Sequence, residues 1–157
     1  MSYSWEKFIN NRFIFLACRL FVGGLFVFSG LVKIRQPLEE FIAQVEQYAL
    51  LPEFLIQPFA FTLPYVELIF GTLLVLGIWV KLDAIILGLM NLAFIIALSQ
   101  AMARGIELND CGCFGDMLVI GETAGQVIVR DLILMIPILY LIFTKIRFFT
   151  LDKYLLK

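Results

Sequence analysis

The chain has 157 residues, with 12 basic and 13 acidic side chains, no histidine and a net charge of −1. Hydrophobic residues make up 62% of it and charged residues 16%, and the mean hydropathy is +0.97. Soluble domains are much less apolar, so this composition excludes a soluble globular protein and indicates an integral membrane protein. The lipid bilayer is therefore an expected partner, and nucleic acid is not.

Four apolar stretches are long enough to cross a bilayer, which takes about 20 mainly apolar residues in a helix. They cover residues 13–32, 58–78, 84–102 and 126–144. Arg19 lies in the first stretch and Glu67 in the second, and Arg130 and Asp131 weaken the start of the fourth. The first run is too long for the apolar region of a cleavable signal peptide. The sequence predicts an all-α, four-helix membrane bundle that forms one domain over residues 1–157.

The connection between the first two spans has the pattern of a short amphipathic helix. Pro37 suits its first position, and Pro52 suits its end. Its apolar residues follow helical spacing; they are Leu38, Phe41, Ile42, Val45 and Ala49. Its polar face is acidic, whereas helices that bind anionic lipid surfaces are usually basic. We expect this helix to lie across the outer mouth of the bundle, either as an inert connector or as a lid or docking surface.

The connection between the third and fourth spans contains two cysteines, Cys111 and Cys113, separated by Gly112. A disulfide between them closes a very small ring, which a glycine permits, and strain makes such a bond easier to reduce. Closing so short a loop also removes little entropy from the unfolded chain. The pattern therefore favours a redox-active pair over a structural disulfide. Carboxylates such as Asp110 and Asp116 raise a thiol pKa and cations lower it, and the sequence leaves open which prevails.

The distribution of basic residues predicts how the chain is oriented in the membrane. Basic side chains are concentrated at the termini and in the turn between the second and third spans; they are Lys7, Arg12, Lys81, Lys145, Arg147, Lys153 and Lys157. On the other side, acidic residues outnumber basic ones. We therefore expect cytoplasmic termini in a bacterial inner membrane. The cysteine pair would then face the periplasmic or extracellular side, where disulfides persist.

Charged side chains within a bilayer are costly and need partners. Lys33 ends the first span close to the level of Glu67, so we expect an ion pair that either joins the two helices or serves proton transfer or ligand binding. Arg130 and Asp131 lie at the level of the cysteine pair, and we expect them to pair with each other or with a helix end.

Cys18 lies in the cytoplasmic half of the first span, too far from the pair for a disulfide, and is expected to be a small buried hydrophobe. Several glycines are expected to permit close helix packing; they are Gly23, Gly24, Gly30, Gly71 and Gly77.

Together these residues resemble the DoxX-like membrane protein family, and within it the MauE-type branch. The matching segments are Arg19, Gly24, residues 29–33, residues 41–52, residues 63–68, Gly71, residues 110–115 (which include Phe114) and residues 130–131. The resemblance implies a bundle similar in architecture to the quinone-linked disulfide-forming proteins. It also implies a periplasmic thioredoxin-like partner and a role in the maturation of a disulfide-rich periplasmic enzyme subunit.

Two departures from the quinone-linked disulfide formers limit this comparison. Those proteins use two cysteine pairs, and this chain offers one, so Cys111 and Cys113 would have to meet both quinone and partner unless the loop moves. The chain also has no histidine, so no haem or zinc site that uses imidazole is expected. Proton transfer would fall to Glu67, Asp131 or water.

The leading hypothesis is a thiol-disulfide oxidoreductase that exchanges electrons between Cys111 and Cys113 and a thioredoxin-like partner, with quinone as a membrane electron carrier. A noncatalytic assembly factor for a redox enzyme is the first alternative. A soft-metal binding protein is the second, since two neighbouring thiolates suit Cu(I), although few further ligands are present.

Overall fold

A computed structural model describes residues 11–47, 52–104 and 124–144 of the chain. The helices in these ranges are α1 (Arg12–Arg35), α2 (Leu38–Gln47), α3 (Glu53–Leu76), α4 (Val80–Ala103) and α5 (Ala124–Phe143). The four longest, α1, α3, α4 and α5, are long and apolar enough to cross a membrane. The predicted all-α architecture with four spans is confirmed.

Two of the spans begin four or five residues earlier than the sequence predicted. Helix α3 begins at Glu53 rather than at residue 58. Both Pro58 and Pro64 therefore lie inside it. Each proline removes one helical hydrogen bond, which transmembrane helices tolerate when neighbouring groups compensate. Helix α4 begins at Val80 rather than at residue 84, which places Asp83 within the span.

The turn between α3 and α4 is tight and depends on a left-handed glycine. Gly77 has φ 75°, and its N–H donates to the Leu73 carbonyl at 2.8 Å. A residue with a side chain rarely adopts this angle, so Gly77 serves to end α3.

The four spanning helices form a ring around a shared apolar core. Helix α1 packs mainly on α3 and α4 packs mainly on α5, and contacts of α3 with α4 and of α1 with α5 close the ring. All four helices contribute to the core, which includes Phe15, Val22, Phe26, Leu74, Leu87, Leu134, Ile138 and Leu141. Large apolar side chains such as Ile133 and Phe21 are exposed on the outside, where lipid would contact them.

Helix α2 packs on the first half of α3 through a second apolar cluster. Phe41 and Val45 of α2 lie against Ile56, Ala60 and Leu63 of α3, which confirms the predicted amphipathic helix over Leu38–Gln47. We call this end of the bundle the α2 end: α1 and α4 end there, and α3 and α5 begin there.

Glycines bring the backbones of α1 and α3 into direct contact. A Cβ added to Gly30 would lie 2.8 Å from the Pro64 carbonyl, and one added to Gly71 would lie 3.0 Å from the Val27 nitrogen. The predicted packing role is confirmed for these positions and for Gly23, but not for Gly24, where an added Cβ would meet nothing within 4 Å.

Candidate functional site

The predicted ion pair between α1 and α3 is present and deeply buried. Lys33 Nζ lies 2.6 Å from Glu67 Oε1, and 1% of each side chain is exposed. A charge pair with so little water around it interacts strongly, because little solvent screens it. The pair joins α1 to α3 directly.

Ser29 completes the contacts of the Glu67 carboxylate. Its hydroxyl donates to Glu67 Oε2 at 3.1 Å, so each carboxylate oxygen accepts one hydrogen bond. Ser29 and Lys33 are four residues apart on α1 and therefore share a face of the helix. The sequence analysis did not assign Ser29 to the site, although this spacing from Lys33 was a signal that could have identified it.

The close approach of α1 and α3 positions the pair. Gly30 lies against the Pro64 carbonyl and the Leu68 backbone, between Ser29 and Lys33 along α1 and beside Glu67 on α3. A larger residue at Gly30 would hold the helices apart at this level. The pair therefore depends on backbone contact as well as on charge.

Aromatic rings from two other helices surround the Lys33 ammonium. Lys33 Nζ lies 4.9 Å from the centroid of the Phe94 ring on α4 and 5.9 Å from that of Phe41 on α2. Both distances fall within the range of cation–π attraction. Lys33 thus lies where α1, α2, α3 and α4 meet, beside a half-open pocket of about 110 Å³.

Arg130 and Asp131 form a separate pair on α5. Arg130 Nε lies 3.4 Å from Asp131 Oδ1, and the buried Asn91 amide of α4 donates to the Asp131 carbonyl oxygen at 2.9 Å. The predicted mutual pairing of the two charges is thus present. Neither Lys33 nor Glu67 hydrogen-bonds to this pair, so the structure does not bring all the predicted supporting residues together.

The candidate reactive residues lie outside the described residues. These are Cys111 and Cys113, together with Asp110 and Phe114. They belong to the segment 105–123, which joins the end of α4 to the start of α5. Both attachment points are at the α2 end of the bundle, the same end as Lys33.

The third cysteine lies toward the other end of the bundle. Cys18 is half-buried and carries a free thiol, and it packs against the apolar core. It precedes the end of α1 at Arg35 by 17 residues, or about 25 Å along the helix axis. This placement agrees with its predicted role as an apolar core residue.

Asp83 is a buried carboxylate that the sequence analysis missed. It is fully buried in the first turn of α4, and neither of its carboxylate oxygens has a hydrogen-bond partner among the described residues. The predicted start of this span at residue 84 left Asp83 outside the membrane. Extending the apolar face of α4 back from Leu87 and Asn91 would have included it, because residues 83, 87 and 91 share one helix face.

Comparisons with known proteins identify relatives over most of the chain. A family model described as "Methylamine utilisation protein MauE" matches residues 11–144. The methylamine utilization protein MauE of Methylorubrum extorquens is 34% identical to this chain, over 68% of this chain and 61% of the relative. The protein of that name from Methylophilus methylotrophus is 32% identical over 69% of this chain and 56% of the relative. The chain therefore spans about three fifths of the length of these relatives. No solved structure matches the chain significantly.

Proposed function

Because the chain belongs to the MauE family, which matches residues 11–144, we propose that it is a multi-pass membrane protein that exchanges electrons through Cys111 and Cys113. The observation that carries this proposal is the position of the cysteine segment. Residues 105–123 connect α4 to α5 at the α2 end, where the buried Lys33–Glu67 pair also lies. Perturbed, buried charges and reactive thiols are both typical of redox sites, and here the thiol segment is joined to the bundle at the end that holds the buried pair.

The proposed reaction is thiol–disulfide exchange with a thioredoxin-like partner. A thiolate of the partner attacks one sulfur of the Cys111–Cys113 disulfide, and the other sulfur leaves as a thiolate. The second thiol of the partner then attacks the mixed disulfide, so the partner becomes oxidised and the chain holds two thiols. The partner has lost two electrons and two protons, and the same steps run backwards when the chain is the reductant.

The buried pair on α1 and α3 would support this exchange by holding a proton at the end of the bundle to which the cysteine segment is joined. Glu67 accepts hydrogen bonds from both Lys33 and Ser29, so its carboxylate is fixed in position by two donors. Asp131, which is 3% exposed, is the second buried carboxylate from the predicted set. A quinone, when bound, would accept the two electrons and two protons that two thiols release on forming a disulfide.

The orientation belongs to the same proposal. In it, the termini and the α3–α4 turn are cytoplasmic and the α2 end is on the periplasmic side of a bacterial inner membrane; the charge distribution along the sequence supports this orientation. Disulfide chemistry would then occur in an oxidising compartment. We also propose that the MauE family is related to the DoxX-like proteins; the motifs at residues 29–33 and 63–68 support this relationship. Their residues Ser29, Gly30, Lys33, Pro64 and Glu67 build the described site.

A redox titration tests the proposed function. Purified protein carrying Cys18→Ser would be poised in thiol–disulfide buffers, and free thiols would be counted by mass-tagged alkylation. We expect Cys111 and Cys113 to become protected together in one two-electron transition, at about −270 to −120 mV as in thiol oxidoreductases. The matched control is Cys111→Ser in the same background, in which Cys113 can form only a mixed disulfide with the buffer thiol, so the intramolecular two-electron transition should be absent.

Two outcomes would overturn the exchange reaction. One is a pair that stays reduced at every poise, and the other is a pair in which each thiol alkylates independently. Either result would favour a noncatalytic assembly factor, in which Lys33 and Glu67 only join two helices. Stoichiometric Cu(I) retained by the protein and lost in Cys111→Ser would favour a soft-metal site instead.

A further inference from the structure

Helix α2 covers the buried Lys33–Glu67 pair at the end of the bundle where α1 ends. Lys33 lies in the last turn of α1, and α2 follows after residues 36 and 37. Phe41 of α2 is 4% exposed, and its ring centroid lies 5.9 Å from Lys33 Nζ. The ring of Phe41 is therefore one of the groups that keep water from the pair.

The contacts between α1 and α3 show on which side of the pair α2 lies. Gly30 of α1 lies against Pro64 of α3, and the two helices run in opposite directions. The level of Lys33 on α3 is therefore near residue 61. Helix α2 packs against Ile56, which is nearer the start of α3. Movement of α2 away from α3 would therefore open the pair toward the aqueous surface and not toward the apolar core.

Few apolar side chains hold α2 in place. Among its described side chains, those that are buried and apolar are Phe41 and Val45. A half-open pocket of about 110 Å³ lies beside Phe41, between α2 and α3, so the contact is not closely packed throughout. Segments with few buried apolar contacts open at a lower free energy than the core of a fold. Helix α2 is therefore an element that can move while the four spans stay packed.

Gln36 destabilises the closed position of α2. It lies in the connection between α1 and α2, and its Oε1 atom is buried without a hydrogen-bond partner among the described residues. A buried acceptor that has no partner is costly. This atom would meet water when α2 moves outward, so opening relieves the cost.

We propose that α2 is a lid whose outward movement connects the Lys33–Glu67 pair to water. Only 1% of each side chain is exposed while α2 is closed. This inference rests on the proposed function, in which the pair holds a proton. When α2 is open, that proton passes between the Glu67 carboxylate and water, and no electron moves. The lid thus regulates when the pair exchanges its proton with the aqueous phase.

A cross-link within the pair measures how often the lid opens. A carbodiimide activates the Glu67 carboxyl group, the Lys33 amine attacks the activated carbon, and an amide bond forms as the carbodiimide leaves as a urea. The 2.6 Å between Lys33 Nζ and Glu67 Oε1 suits this reaction. The full chain in phosphatidylcholine nanodiscs would be treated with a water-soluble carbodiimide, and peptide mass spectrometry would follow the α1–α3 cross-link. The reagent enters from water, so the rate of cross-linking reports opening.

Two substitutions should change this rate in opposite directions. Phe41→Ala removes the ring by which α2 is anchored and should raise the rate at least about tenfold. Gln36→Leu removes the unsatisfied acceptor and should lower the rate about tenfold. Phe54→Ala is the matched control for loss of a ring, since Phe54 is 76% exposed at the start of α3, and should leave the rate unchanged.

A distance measurement separates movement of α2 from a hole left by the smaller side chain. Spin labels would be attached to Ala43→Cys on α2 and Gln57→Cys on α3, which are both exposed positions, after the three native cysteines are replaced by serine. We expect two populations of label separation. The longer one should grow with Phe41→Ala and shrink with Gln36→Leu.

Two results would overturn the lid. One is an equal cross-linking rate in the unsubstituted protein, Phe41→Ala and Gln36→Leu, and the other is a single label separation in all three. Neither measurement depends on the thiol pair. Opening of α2 together with cysteines that stay reduced at every poise would therefore remove the exchange reaction and leave the lid. A two-electron cysteine couple with α2 always closed would remove the lid and leave the exchange reaction.

Discussion

Lys33 Nζ on α1 and Glu67 Oε1 on α3 lie 2.6 Å apart with 1% of each side chain exposed. Taking two charges out of water is costly, and their mutual attraction offsets that cost only when the geometry and the surrounding hydrogen bonds are good. Removing one partner leaves the other charge buried without compensation. We therefore expect the stability effects of substituting Lys33 and Glu67 to be strongly coupled.

Substituting Lys33 or Glu67 alone should destabilise the protein far more than substituting both residues together. Lys33→Met and Glu67→Met should each lower the free energy of unfolding by about 3 to 5 kcal/mol, because each leaves an unpaired buried charge. The double variant removes both charges and should be more stable than either single variant. Unfolding in detergent, followed by circular dichroism, would measure all three variants.

Glu46→Gln is the control for these variants, because Glu46 lies on the exposed face of α2. Its removal should change the free energy of unfolding by less than about 1 kcal/mol. Additive losses from Lys33→Met and Glu67→Met would contradict the coupling, since independent sites add and interacting sites do not.

The contact between Gly30 and α3 gives a second prediction. A Cβ at Gly30 would lie 2.8 Å from the Pro64 carbonyl and 3.0 Å from the Leu68 nitrogen. Both neighbours are backbone atoms, which cannot move without shifting the helix. Gly30→Ala should therefore lower the melting temperature of the purified protein, despite the better helix propensity of alanine.

Gly24→Ala is the matched control on the same helix. Nothing lies within 4 Å of a Cβ added there, so only the helix propensity changes, and stability should rise by up to about 1 kcal/mol. Equal melting temperatures for Gly30→Ala and the unsubstituted protein would show that the helices separate at little cost.

The sequence was sufficient to predict features that depend on local pattern or on a single physical rule. The length of the apolar runs predicted four spans, and the spacing of Phe41 and Val45 predicted α2. Because a charge in a membrane needs a partner, the Lys33–Glu67 pair could be proposed before the structure. The functional roles of Cys111 and Cys113 remain predictions.

Other features depend on packing between distant parts of the chain. The rings of Phe41 and Phe94 surround Lys33 only because α2 and α4 both pack against the same part of the bundle. Glycine content predicted close helix contact but not which glycines make it: Gly30 faces α3, and Gly24 does not. The early start of α4 was missed because Asp83 was taken as a residue outside the membrane.

Asp83 gives a third prediction. Its side chain is fully buried, and neither carboxylate oxygen is hydrogen-bonded among the described residues. An unsatisfied buried polar group costs about 1 to 3 kcal/mol. Asp83→Leu should therefore raise the free energy of unfolding in detergent by at least about 1 kcal/mol. Asp83→Asn should give a smaller gain, since its amide is also unsatisfied. A loss of stability in Asp83→Leu would indicate a partner outside the described residues.

The ring of Phe94 should stabilise the Lys33 ammonium through its π face. Lys33 Nζ lies 4.9 Å from the ring centroid, close enough for an attraction of about 0.5 to 2 kcal/mol. Phe94→Leu also removes buried apolar volume, so the single variant cannot separate the two effects. A double-mutant cycle with Lys33→Met does, because the loss of packing is common to both backgrounds and cancels. We expect a coupling of about 0.5 to 2 kcal/mol.

Phe26→Leu, in the core away from Lys33, should show additive effects with Lys33→Met. Additivity for Phe94→Leu as well would mean that its ring only fills space.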